Sequence, residues 1–178
     1  PCKGKGKILV PGVNDKILNK SDKVLSIASC TTNCLAPVAK VLDENFGIKR
    51  AFMTTDHAYT SSQELVDSSS KDKRRGRSAA LNIIPTTTGA NKAVETVIPK
   101  LKGKLKGIAM RVPVASGSIV DLVAELKKPI TPSKINSALR KASKTNMKGI
   151  IEYSEDEIVS SDVIGNSHSS VIDSLSTD

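Results

Sequence analysis

Aromatic residues make up only 2% of the 178 residues, and tryptophan is absent. The core must therefore consist of aliphatic side chains, and the aromatic platforms on which single-stranded nucleic acid stacks are hardly available. No apolar run approaches the roughly 18 residues of a membrane-spanning helix, so we expect no membrane association. The three cysteines, with no secretory signal ahead of them, argue against a disulfide framework and favour a reducing, cytoplasmic setting.

Nucleotide-binding fingerprints are missing as well. The sequence contains neither GxGxxG nor GxxxxGK. What it does have is a surplus of basic residues, with a formal net charge of +9. Such a surplus favours anionic partners, and phosphorylated metabolites, nucleic acid and acidic membranes all fit it. The Lys71–Arg77 cluster fits phosphate or nucleic-acid binding and also fits a solvated loop.

Periodicity and turn residues predict an α+β order, rather than a regular alternation of strands and helices. One long polar loop is predicted at 61–79. Helices are predicted after Ser29 as far as Gly47, over 90–98, and from Thr131 onwards. Strands are predicted over 7–13, 24–28, 49–57, 105–112, 118–126, 149–153, 158–163 and 169–172.

Cys30 is the most informative position, because it stands where a predicted strand meets a predicted helix. The free N–H groups at a helix start stabilise a thiolate and lower its pKa. His57 ends the next predicted strand, and the two side chains would meet at one sheet edge if that strand paired with the one before Cys30. A nucleophilic Cys/His pair competes here with a buried structural cysteine and a surface histidine. Cys34 adds too few ligands for zinc, so we expect no metal.

Two further features suit phosphate. Thr86, Thr87 and Thr88 precede Gly89 and a helix, so hydroxyl and backbone N–H groups can converge on an anion. Arg111 closes a strand, where a guanidinium can bind phosphate through two N–H groups. An ordinary helix cap would account for one of the threonines.

These residues fall within motifs that resemble phosphorylating glyceraldehyde-3-phosphate dehydrogenases. The resemblance covers essentially the whole chain, and the nonapeptide beginning at Ser29 is its most specific part. The matching segments are SCTTNCLAP at 29–37, MTT and HAYT at 53–60, RRGRSAA at 74–80, NIIPTTTGA at 82–90, RVP at 111–113, Ser118 with VDL at 120–122, VSSD at 159–162 and IG at 164–165. Asp56 departs from the pattern, since the family usually has an apolar residue there.

The resemblance implies a fold, a reaction and site residues. The fold would be a mixed, largely antiparallel sheet covered by helices on one face. In the reaction, glyceraldehyde 3-phosphate would be oxidised and phosphorylated with NAD or NADP, through a thiohemiacetal and a thioester on Cys30, with His57 as base. Thr60 and Arg111 would hold the substrate phosphate. The attacking phosphate would contact Ser29, Thr31, Thr88 and Gly89. The complete enzyme would be a cytoplasmic homotetramer of glycolysis.

The resemblance also divides the chain. Residues 1–29 would be the last strands of a Rossmann nucleotide-binding domain, and 30–178 a catalytic domain truncated at its C-terminal end. The cofactor-binding residues stay unknown, because the main dinucleotide site would lie outside this chain. We therefore expect the 178 residues alone to be inactive in turnover. The alternatives are an erythrose-4-phosphate dehydrogenase, a basic nucleic-acid-binding module and an inactive remnant; we do not expect nucleic acid as the main partner.

Overall fold

The computed structural model describes residues 6–178, and Cys2 lies outside them. Short 3-10 turns follow β1, α2 and β8. In chain order the strands and helices are β1 Lys7–Ile8, β2 Leu25–Ser26, α1 Cys30–Phe46, β3 Ile48–Ala58, β4 Ile84–Thr86, α2 Ala90–Val97, β5 Leu105–Val112, β6 Ser118–Leu126, α3 Pro132–Lys144, β7 Ile151–Ser154 and β8 Ser170–Asp173.

The central sheet has four strands in the order β4-β5-β3-β6. β3 runs parallel to β5 and antiparallel to β6, and β4 runs antiparallel to β5. Two of the three pairings are thus antiparallel, and the expected mixed, largely antiparallel sheet is confirmed. Two parallel pairs, β1-β2 and β7-β8, stand apart from this sheet.

The main core lies between one face of the sheet and helices α1 and α2. It is aliphatic, as the shortage of aromatic residues requires. Its fully buried members include Leu35, Ile48, Met53, Val94 and Leu101. A smaller cluster joins the other side of α1 to α3 and β7, through Val41, Leu139, Ala142, Met147 and Ile151.

Helix α1 positions the candidate nucleophile, and local chemistry sets both of its ends. The Ser29 hydroxyl accepts a hydrogen bond from the Thr32 N–H (3.2 Å) and so caps the first turn. Ala28, just before the cap, has a φ of 60°, which is uncommon for a residue other than glycine. The helix ends at Gly47, whose φ is 73°. Cys30 is therefore held at a sharp, strained junction between β2 and α1.

No element among residues 6–178 covers the opposite face of the sheet. Phe52 on β3 and Val123 on β6 are register partners, and their exposed fractions are 47% and 66%. Ile119 lies further along the same face, beside Asp56. Alternation along β6 explains the pattern, because every second side chain points away from the helices.

The structure corrects four sequence expectations. Residues 158–163 form turns instead of a strand, whereas 84–86 form a short strand that was not predicted. The strands predicted at 7–13 and 24–28 shrink to two residues each. β2 pairs with β1, so the strand leading into Cys30 does not lie beside β3. None of the helices within residues 6–178 is both long and apolar enough to cross a bilayer.

A buried hydroxyl on β3 generates a stability prediction. The Thr55 side-chain oxygen is buried without a hydrogen-bond partner among the described residues. Thr55→Val should keep or raise the free energy of unfolding, by up to about 1 kcal/mol, because an unpaired buried hydroxyl is unfavourable. Thr32→Val is the matched control, since the buried Thr32 hydroxyl lies 2.7 Å from that of Ser29. The free energy of unfolding of Thr32→Val, measured by urea denaturation, should fall by about 1 kcal/mol. Equal losses in the two variants would contradict this interpretation.

Candidate active site

Cys30 and His57 meet at one end of the sheet. Cys30 is the first residue of α1 and is exposed, and its Sγ lies 3.3 Å from His57 Nε2. His57 is near the end of β3, on the side that faces the helices. The two residues meet because α1 packs on the sheet with its N-terminus over the end of β3, without any pairing of β2 with β3.

Arg111 joins this pair through strand register. β3 and β5 are parallel, and His57 is the register partner of Arg111. Parallel neighbours present the same ends at the same edge, so the two side chains emerge next to each other. Arg111 Nη1 lies 2.7 Å from His57 Nδ1 and donates to the Ala58 carbonyl at 3.0 Å.

The contact between Cys30 and His57 shifts the pKa values of both groups. The hydrogen bond with His57 is the main cause that lowers the pKa of Cys30 to about 7, against an opposing effect of burial. The hydrogen bond with Cys30 is the main cause that raises the pKa of His57, and the Ala58 carbonyl contributes to it. Burial and the charge of Arg111 act in the opposite direction on His57. A thiolate beside an imidazole is thus accessible near neutral pH, which suits nucleophilic attack.

A cavity of about 320 Å³ opens beside Cys30 and His57. Its polar lining consists mostly of hydroxyl groups, with the Arg111 guanidinium at one side and the first residues of α1 and α2 at the others. N–H groups at helix starts and a guanidinium all favour an anion. The lining includes Ser29, Thr31, Thr55, Thr88, Gly89 and Arg111.

The sequence of this chain is similar to those of known proteins. Residues 29–178 match the model of the glyceraldehyde 3-phosphate dehydrogenase C-terminal domain. The chain is 60% identical over 179 aligned positions to the glyceraldehyde-3-phosphate dehydrogenase of Borreliella burgdorferi, covering 99% of this chain and 53% of the relative. It is 56% identical to that of Geobacillus stearothermophilus, with the same coverage.

The chain belongs to the glyceraldehyde-3-phosphate dehydrogenase family. A third relative, glyceraldehyde-3-phosphate dehydrogenase 1 of Bacillus subtilis, is 57% identical over 170 residues, which are 95% of this chain and 51% of the relative. The chain therefore spans about half the length of the curated relatives it matches, and the matched half contains Cys30, His57 and the cavity.

The residues expected to bind phosphate in this family are not all in one place. Ser29, Thr31, Thr88, Gly89 and Arg111 line the cavity. Thr60 does not; it follows β3, where its hydroxyl lies 2.9 Å from that of Ser62 and its N–H donates to Gln63. Gly89 borders open space, since a Cβ built there meets no atom within 4 Å. The cavity thus has free room directly at the start of α2.

Two residues at the site were not singled out in the sequence. Arg75 donates to the Thr86 hydroxyl at 2.9 Å. Burial lowers the pKa of Arg111, and the positive charge of Arg75 lowers it further, so a second guanidinium stands close to the cavity. Thr55 lines the cavity from β3, two residues before His57. The signal for Thr55 was strand alternation, which places it on the same face as His57. Arg75 had no such signal within its basic loop.

Cys34 differs from Cys30 although it lies one helical turn away. Its Sγ is 3.5 Å from the Ser170 hydroxyl on β8, and burial raises its pKa. Asp56 also stays out of the site, because its register partner Ile119 lies on the uncovered face of the sheet. Within residues 6–178 no three histidine, cysteine or acidic side chains are grouped closely enough to hold a metal ion.

The contrast between the two thiols gives a test of reactivity. Limiting iodoacetamide should label Cys30 faster than Cys34 at neutral pH, because only the thiolate reacts. The rate at Cys30 should rise with pH through a midpoint of about 7, whereas Cys34, whose pKa is raised, should stay slow over that range. Peptide mapping by mass spectrometry measures both rates in one sample. Equal labelling, or a Cys30 midpoint above 8.5, would contradict the assigned contact with His57.

Proposed function

We propose that this chain carries the catalytic half of a phosphorylating glyceraldehyde-3-phosphate dehydrogenase of glycolysis. The enzyme converts glyceraldehyde 3-phosphate, inorganic phosphate and NAD(P)+ into 1,3-bisphosphoglycerate and NAD(P)H. The observation that carries the proposal is the 3.3 Å contact between Cys30 Sγ and His57 Nε2, beside a cavity that favours anions. The relatives named above bear that enzyme's name, and the matched segment includes every residue in the mechanism below.

The chemistry assigned to this chain begins at sulfur. The Cys30 thiolate attacks the aldehyde carbon, a C–S bond forms, and the carbonyl oxygen takes the proton held on His57 Nε2, giving a thiohemiacetal. The Cys30 N–H at the start of α1 steadies the oxygen while it carries negative charge. His57 then takes the hydroxyl proton back as the carbon is oxidised to a thioester.

The cavity supplies the second reactant. Inorganic phosphate held near Thr31, Thr88 and Gly89 attacks the thioester carbon, the C–S bond breaks, and the Cys30 thiolate leaves. By family resemblance Arg111 and Thr60 hold the phosphate group of the substrate, Arg111 from the cavity lining and Thr60 from outside that lining. The short distance from Cys30 to the cavity favours this step, because a bound nucleophile reacts far faster than a free one.

NAD(P)+ accepts the hydride when it is bound. The described residues offer no glycine-rich turn with an acidic ribose ligand, so they do not fit a dinucleotide on their own. The steps assigned to this chain therefore stop at the thiol, the imidazole and the anion cavity.

The proposal also covers the domain division and the assembly of the complete enzyme. Residues 1–29 would belong to the nucleotide-binding domain and 30–178 to the catalytic domain, in a cytoplasmic homotetramer. The uncovered sheet face supports an assembly of copies, because Phe52, Val123 and Ile119 leave apolar surface exposed. Erythrose 4-phosphate is the nearest competing substrate, and the ratio of turnover on the two aldehydes in the complete enzyme distinguishes them.

Phosphate should protect Cys30 from alkylation if the cavity is the anion site. In Gly89→Ala this protection should weaken about tenfold, since the added methyl group fills the open space at the start of α2. The free energy of unfolding should change by less than about 1 kcal/mol, because the methyl group meets no protein atom within 4 Å. Alkylation rates over a phosphate titration measure the effect. Unchanged protection would place the anion elsewhere.

Acyl transfer tests the nucleophile without the cofactor. A reactive aryl ester should acylate the 178-residue chain at Cys30. His57→Gln should slow this step about 100-fold at neutral pH, because it removes the base. Cys34→Ser is the matched control and should react like the unsubstituted chain, and mass spectrometry identifies the acylated residue.

The same preparation tests whether the chain is inactive in turnover without a nucleotide-binding domain. We expect no NAD+ binding by calorimetry and no oxidation of glyceraldehyde 3-phosphate, because hydride transfer requires a positioned nicotinamide. Acylation at another residue would contradict the assigned nucleophile. Robust turnover by the isolated chain would contradict the expectation that oxidation of the substrate requires the nucleotide-binding domain.

A further inference from the structure

The segment that leads into Cys30 contains a strained residue. Ala28 has a φ of 60°, in the left-handed region, where the Cβ atom crowds the following carbonyl oxygen. Among residues 6–178 it is the one residue other than glycine with a positive φ. Such strain relaxes unless neighbouring contacts hold the residue, and it concentrates at functional sites. The contacts that hold Ala28 therefore bear on the position of the thiol.

Asn33 makes contacts on both sides of Ala28. It lies one turn into α1, and its Nδ2 donates to the Ile27 carbonyl at 2.6 Å and to the Ser29 carbonyl at 2.9 Å. A side-chain amide has two N–H groups, so both are used, and each holds one neighbour of Ala28. Two such hydrogen bonds together are comparable in free energy to the penalty of a left-handed alanine. The amide thus ties the end of β2 to the first turn of α1 across the strained residue.

The other side chains at this junction act on one side of Ala28 only. The Ser26 hydroxyl accepts a hydrogen bond from the Ala28 N–H at 3.3 Å, from the β2 side. The Ser29 hydroxyl caps the helix through the Thr32 N–H, from the α1 side. Asn33 is not among the residues that line the cavity, so it acts through the backbone.

The strained residue lies two positions before Cys30. Ser29, which caps α1, follows Ala28 directly, and Cys30 is the first residue of the helix. If the φ of Ala28 left the left-handed region, the Ser29 backbone would turn, and the cap and the first turn would lose their place over the sheet. The 3.3 Å contact between Cys30 Sγ and His57 Nε2 depends on that place, and so does the lowered pKa of the thiol.

We propose that Asn33 is a positioning residue for Cys30: it holds Ala28 in its strained conformation and so keeps the thiol in contact with His57. Asn33 takes no part in the bond-making steps. This inference rests on the proposed nucleophile. It needs neither phosphate nor cofactor, so the 178-residue chain suffices for the test.

The charges around the thiol stay the same in that test. The titratable groups that interact with Cys30 are His57 from β3, Arg111 from β5 and Cys34 from the same helix. Asn33 is uncharged, and its replacement by leucine adds no charge and removes none. A shift in the titration of the thiol therefore reports a change in geometry.

The pH midpoint of Cys30 alkylation is the readout, because it reports the contact with His57. Asn33→Leu removes both N–H groups and keeps a side chain of similar shape. Ala28 should then leave the left-handed region in about nine molecules in ten, and the midpoint should rise by about one pH unit. Iodoacetamide labelling over a pH series, with peptide mapping, measures it. Asn33→Ala, with the residue that most favours a helix, is the second variant if the first does not fold.

A control and a rescue separate this role from a merely structural one. Asn45 lies at the other end of α1, and its Nδ2 also donates to a backbone carbonyl, that of Val41, at 2.8 Å. Asn45→Leu should therefore keep the midpoint at about 7. Glycine adopts positive and negative φ about equally, so in an Ala28→Gly background Asn33→Leu should raise the midpoint by only about 0.3 pH unit.

Two results would overturn the proposal: a midpoint in Asn33→Leu equal to that of the unsubstituted chain, or a shift of the same size with alanine and with glycine at position 28. Failure of the proposed function gives a different result. A midpoint above 8.5 in the unsubstituted chain would mean that Cys30 is not activated at all, and both proposals would fall. A midpoint of about 7 that does not respond to Asn33 would leave the nucleophile in place and remove only the positioning role.

Discussion

The parallel pairing of β3 with β5 is the constraint on which the site depends. It places His57 directly beside Arg111 and ends both strands at one edge of the sheet. Helix α1 then needs only to pack on that sheet with its first residue over the edge for Cys30 to reach the imidazole. A shift of one residue in this register would turn His57 or Arg111 to the uncovered face. The aliphatic core between α1, α2 and the sheet thus fixes the geometry of the site.

The electrostatics of the site follow from that geometry. Cys30 alone would be an ordinary thiol at a helix start, and His57 alone an ordinary histidine at a strand end. Their contact lowers the pKa of the thiol and raises that of the imidazole, so each charge stabilises the other. The charge of Arg111 opposes the rise in the pKa of His57, and Arg111 also lines the cavity. Burial keeps Cys34, one turn further along, out of this chemistry.

Packing of the two helices also explains why the cavity suits phosphate. α1 and α2 begin at the same end of the sheet, so their first turns border one space, together with the side chains of Thr31 and Thr88. Gly89 leaves this space open. The opposite face of the sheet carries apolar side chains that no element among residues 6–178 covers.

The sequence by itself determined the local structure and the family. The caps and periodicity placed α1, α2, α3 and the long strands, because these depend on neighbouring residues, and the nonapeptide around Cys30 identified the family, which the comparisons confirm. Only the tertiary structure decided that β3 pairs with β5 and not with β2, that β4 exists, that Thr60 lies outside the cavity, and that Arg75 lies near it. These outcomes depend on contacts between residues far apart in the chain, which no local pattern encodes. The position of Arg111 on His57 belongs with them, since it exists only once two distant strands lie in register.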